Sequence, residues 1–151
     1  MTNTISILES NRNTLKYFLE QYSLQQLNKI PEGFSNNIIW NIGHIVVVQQ
    51  MLVYNLSGLP MMVSQEMVAK YKKGTTPQGE VSQEEINEIK TLLFTTITQT
   101  KKDFENNIFK NFHEFKTMTG FTVNSVKAAL EFNNVHEGVH LGIILSLKKF
   151  I

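Results

Sequence analysis

Two of the four histidines in this 151-residue chain stand four residues apart, in the stretch Asn133-Asn134-Val135-His136-Glu137-Gly138-Val139-His140. On an α-helix four residues advance about 6 Å and about 400°, so both imidazoles leave one face a turn apart. Two neutral ring nitrogens in that relation can converge on one metal ion. A pair supplies only two ligands, and an open catalytic site holds three. The chain has no cysteine, so thiolate ligands, thiol nucleophiles and disulfides are excluded. Any further ligand must be His, Asp or Glu.

His44 is the best source of a third ligand. Alone in an apolar segment it would read as a hydrogen-bonded core histidine; beside His136 and His140 it completes a three-imidazole set with room for water or substrate. His113 sits in an aromatic-rich irregular stretch and is left out of the site. Asn41 and Asn133 each precede a proposed ligand by three residues and so face roughly the same way. They are read either as amides that orient an imidazole or contact substrate, or as capping and solvent-facing groups. Trp40, four residues before His44, is a pocket wall or core packing. Tyr54 and Tyr71 enter only because they flank a long connection. Glu137 has two readings: a solvated charge that pairs locally, or the one catalytic side chain, a base beside a metal that brings a water's pKa down to about 7.

His136-Glu137-Gly138-Val139-His140 also satisfies HExxH, the zinc-protease motif in which the glutamate is the general base. No histidine or acidic residue follows His140 in the eleven remaining positions, and no strand-forming segment offers an edge for a peptide. The protease is therefore the weaker alternative.

The elements that must carry these residues are helical. Ile5, Leu8, Leu15, Phe18, Leu19 and Tyr22 form a stripe over residues 4–27, with Glu9, Arg12, Asn13 and Gln21 assigned to the opposite, polar side. A second helix is expected over 35–57, capped by Ser35. It is apolar almost all round and should be the most buried. Its run Ile45 to Val48 could pass for a strand, but the length of the pattern favours helix. A long connection, 58–81, holds a short helix at 64–71. Ser82 and Glu85 have capping-box spacing and open a third helix ending near residue 107. An excursion over 106–120 follows. Thr122 is the expected cap of the last helix, which ends with Lys148 and Lys149 at the negative end of its dipole. The expectation is one all-α domain over 1–151, a four-helix bundle of up-down-up-down type, with inward-facing side chains building the site.

Charge and composition narrow the partners. The net charge is +1 and Arg12 is the only arginine, which is no footprint for a nucleic acid. No run approaches the roughly 20 apolar residues of a membrane span and no signal-peptide pattern is visible. A cytoplasmic location is the default expectation.

Trp40-Asn41-Ile42-Gly43-His44-Ile45, followed by His136-xxx-His140-Leu141-Gly142 on the last helix, resembles the DinB-like superfamily of four-helix bundles. That family carries one histidine on its second helix and an HxxxH pair near the end of the bundle, often with a tryptophan four residues before the first histidine. The resemblance covers almost the whole chain in helix order and length. It implies a divalent metal on His44, His136 and His140, commonly nickel or zinc; imidazole ligands also suit iron or manganese. It also implies a homodimer and a small-molecule substrate. Activities known in the family include transferases and isomerases that use low-molecular-weight thiols. The enzyme so implied is a metal-dependent transferase or hydrolase; the alternative is a non-catalytic metal-binding or helical interaction protein.

Overall fold

The computed structural model describes residues 2–151. Four long helices form a bundle: α1 (Thr2–Gln21), α3 (Ile38–Val53), α5 (Gln83–Glu105) and α6 (Val126–Leu147), with short helices α2 (Leu24–Asn28) and α4 (Gln65–Tyr71) in the connections. Among the described residues no helix is long and apolar enough to cross a membrane.

Local chemistry moves several boundaries. The first expected helix is two: Ser23 caps α2, accepting from Gln26 N while the Gln26 side chain accepts from Ser23 N, and this capping box ends α1 before it. Asn37, not Ser35, caps α3. Its amide oxygen accepts from Trp40 N and its NH2 donates to Asn28 O, which ties the start of α3 to the end of α2. Ser125, not Thr122, caps α6, because Thr122 lies in a two-residue strand, β2 (Thr122–Val123), paired with β1 (Phe115–Lys116). Ser82 does cap α5, and α4 falls inside the expected 64–71. As expected, α3 is the most buried helix, with every residue inside except Val48 and Met51.

The helix directions correct the expected up-down-up-down arrangement. Lys16 lies over the Phe94 ring and Glu20 pairs with Lys90, so α1 and α5 are antiparallel. Gln49 meets Thr100 and Tyr54 meets Asp103, so α3 and α5 run parallel. Asn134 meets Thr4, Glu137 meets Arg12 and Lys148 covers Phe18, so α1 and α6 are parallel too. Asn41 meets His140 and His44 meets His136, which makes α3 and α6 antiparallel. The bundle is up-down-down-up. Two parallel consecutive helices need a connection that travels back along the bundle, which is why residues 54–82 are long and carry α4. Asn28 clamps the far end of that connection, exchanging hydrogen bonds with both N and O of Val81.

The core has two apolar clusters. One joins Leu15, Phe18, Ile42, Ile45, Ile89, Leu93 and Ile144. The other joins Ile5, Leu8, Leu52, Val53, Ile97, Val126 and Leu130. Between them every long helix places buried polar side chains: Arg12 on α1, Gln49 and Gln50 on α3, Thr96 and Thr100 on α5, Asn133 and Glu137 on α6. Several of these groups bond to one another, as burial favours: Gln49 to Thr100, and Arg12 and Asn133 to Glu137.

Candidate metal centre

His44, His136 and His140 come together where α3 crosses α6. One ring nitrogen of each lies within 4.8 Å of the others, and the Nε2 atoms of His44 and His136 are 3.2 Å apart. His44 is 5% exposed, and the other two are half-buried.

Two of the three rings have their tautomer set by a neighbour. His44 Nδ1 is 2.6 Å from the Tyr71 carbonyl, which can only accept, so Nδ1 carries the proton and Nε2 keeps its lone pair. His140 Nδ1 is 2.7 Å from Asn41 Oδ1. The Asn41 amide cannot be turned round, because its NH2 donates to the Asn37 carbonyl at 2.7 Å. His140 therefore also protonates at Nδ1 and presents Nε2. Such outer hydrogen bonds fix ring orientation and raise ligand basicity. Trp40 stacks on His44 with centroids 4.8 Å apart and an interplanar angle of 14°, holding the ring from its face.

Electrostatics keep the rings neutral. Burial, then the neighbouring His140 and His44 and the Arg12 charge, push His136 down to about 3. Burial and then His44 push His140 down to about 4. Burial also lowers His44, opposed by its bond to Tyr71. Neutral imidazole is the form that ligates metal. Two nitrogens on one tetrahedral ion with bonds of 2.0–2.1 Å stand about 3.4 Å apart, and the 3.2 Å between His44 and His136 matches that separation. The donor set fits a divalent ion.

The remaining sequence candidates fall in different places. Glu137 is one residue past His136, so about 100° further round α6, and faces α1. Its Oε1 accepts from Arg12 Nη2 at 2.7 Å, Arg12 Nε at 3.1 Å and Asn133 Nδ2 at 2.8 Å. Glu137 and Arg12 are both fully buried, which corrects the solvated reading of the glutamate and the polar-face placement of the arginine. Asn133 meets Glu137 rather than a histidine. Tyr54 donates to Asp103, away from the triad, and His113 is exposed. Arg12 and the Tyr71 carbonyl were missed as parts of this region. Arg12 was legible: it falls four residues after Leu8 and three before Leu15, in phase with the core stripe.

The sequence model of the DinB superfamily matches residues 7–144. The chain belongs to the DinB superfamily. No curated protein matches it. The matched span contains all four long helices in part or whole and all three histidines, so this DinB-superfamily chain carries a three-histidine cluster able to hold a metal ion.

Proposed function

We propose that this chain is a metal-dependent enzyme acting on a small molecule, with one divalent ion, nickel or zinc, on His44, His136 and His140. The observation that carries the proposal is the paired setting of His44 and His140: each Nδ1 is engaged by an outer acceptor, leaving both Nε2 lone pairs for the same centre. An ion there supplies Lewis acidity, lowering the pKa of a thiol or water that reaches it.

The chain's own residues do the rest. Three ring nitrogens bind, Asn41 and the Tyr71 carbonyl orient, and Trp40 covers one face of His44. With no cysteine in the chain, a thiol nucleophile must arrive as a low-molecular-weight cosubstrate, so the reaction proposed is thiol transfer to a small electrophile, with hydrolysis as its water-dependent counterpart. A cytoplasmic setting, where such thiols are abundant, and a homodimer belong to the same proposal. The exposed apolar pair Val135 and Val139 on α6 supports self-association.

Metal analysis of the purified protein and of His44→Ala tests the centre: about one ion per chain is expected in the first and a clear deficit in the second. A wild-type protein that stays metal-free after incubation with nickel and zinc sinks the proposal. Consumption of glutathione-like, bacillithiol-like or mycothiol-like thiols with an electrophilic acceptor then tests the chemistry.

A further inference from the structure

The histidine least expected to find a polar partner is His44, which sits in the most apolar helix. Its acceptor comes from the end of α4, and the structure shows how that end is held. Tyr71 is the last residue of α4, so its carbonyl has no partner within the helix. Thr75 Oγ1 lies 2.8 Å from the two flanking carbonyls, Lys70 O and Lys72 O. Tyr71 O is the one turned inward, to His44.

The Tyr71 side chain locks this arrangement. Its ring lies against Gly43, the residue before His44, so closely that a Cβ at position 43 would stand 2.7 Å from ring carbons. Its hydroxyl donates to Glu85 Oε1, while Lys70 Nζ lies 2.6 Å from Glu85 Oε2. Glu85 therefore does not turn back on the α5 N-terminus, as capping-box spacing suggested, but ties α4 to α5 at the point where α4 touches α3.

We propose that Gly43, Tyr71 and Glu85 form a strut that positions His44 for the metal: Gly43 lets α4 come close, Glu85 holds it there, and the Tyr71 carbonyl then fixes the imidazole with Nε2 bare. This rests on the metal reading given above. The three are positioning residues, since none is a metal ligand. If the strut is displaced, His44 loses its acceptor and its ring is free to rotate and change tautomer, while the His140–Asn41 bond is untouched.

Nitrogen-15 NMR of the histidines in the metal-free, full-length protein reads the tautomers directly. The wild type is expected to show His44 protonated at Nδ1. Gly43→Ala should shift it to Nε2–H or to a mixture, leave His140 unchanged, and weaken zinc binding 10- to 100-fold in competition with a chelating dye. Glu85→Ala, which leaves the Gly43 contact alone, should act in the same direction with smaller size. Glu85→Gln, which keeps an acceptor for the Tyr71 hydroxyl, should recover most of the loss. If Gly43→Ala fails to fold by circular dichroism, the Glu85 pair decides the matter. A folded Gly43→Ala or Glu85→Ala chain with the wild-type His44 tautomer overturns the strut. A wild type that binds no zinc overturns the metal reading instead, and the tautomer result still decides the strut.

Discussion

Arg12 and Glu137 meet at 2.7 Å with both side chains fully buried, joining the first long helix to the last beside the histidine cluster. Two charges in a dry interior hold each other in place, and removing either leaves the other uncompensated. Such losses cost about 3–5 kcal/mol, a large share of a domain's usual 5–15 kcal/mol. Glu137→Gln is therefore expected to lower stability in urea unfolding by a few kcal/mol while metal content stays at the wild-type level. The double change Arg12→Met with Glu137→Leu should regain most of that stability. A Glu137→Gln protein as stable as wild type would contradict the ion pair's structural role.

Metal should stabilise the native chain, because the three nitrogens converge only in the folded state. At free zinc near 100 times Kd the gain is about 2.7 kcal/mol, which for a chain of this size raises Tm by roughly 5–10 °C. A chelator should reverse the shift, and His136→Ala should abolish it. Identical melting curves with and without zinc or nickel would count against the site.

Asn41 is the acceptor that holds His140, and its amide is itself pinned by Asn37. Asn41→Ala should weaken metal binding 10- to 100-fold by freeing the His140 ring, with the helical content intact. The check is a zinc titration against a chromophoric chelator. An unchanged affinity would remove Asn41 from the site's support.

Tyr54 and Asp103 provide the opposite test. The Tyr54 hydroxyl donates to Asp103 Oδ2 at 2.6 Å, and Gln99 Nε2 donates to Oδ1 at 2.8 Å. Tyr54→Phe leaves a carboxylate oxygen short of a partner and is expected to cost about 1–3 kcal/mol. Metal stoichiometry should not move. Lost metal in this variant would mean that the polar layer acts as one unit with the triad.

The four long helices were readable because their apolar residues recur at helical spacing, and because α3 is apolar on every side. The histidine set was readable from the four-residue spacing of His136 and His140 and the isolation of His44. Arg12 lies inside although its residue type suggests the polar side: on a helix, position decides which way a side chain points, and a core position can hold a charge when a partner waits there. Glu137 carries the same signal, seven residues after Leu130 and seven before Ile144. The cap at Asn37 and the acceptor at Tyr71 were hidden for a different reason. One depends on Asn28 and the other on how α4 lies against Gly43, and neither contact is written in local sequence.

Two polar links in the middle of the bundle span most of the chain: Arg12 and Glu137 are 125 residues apart, His44 and His136 are 92 apart. On the ribosome, α1, α3 and α5 are all made before α6 emerges. Until then Arg12 has no counter-charge and His44 has neither companion, so a three-helix nascent chain would have to strand a bare guanidinium in its interior in order to close. Early compaction is therefore expected to be disfavoured, with the ion pair and the triad forming when the last helix docks. The polar layer thus ties closure of the bundle to its last helix, and a chain truncated before α6 is expected to stay unfolded by circular dichroism.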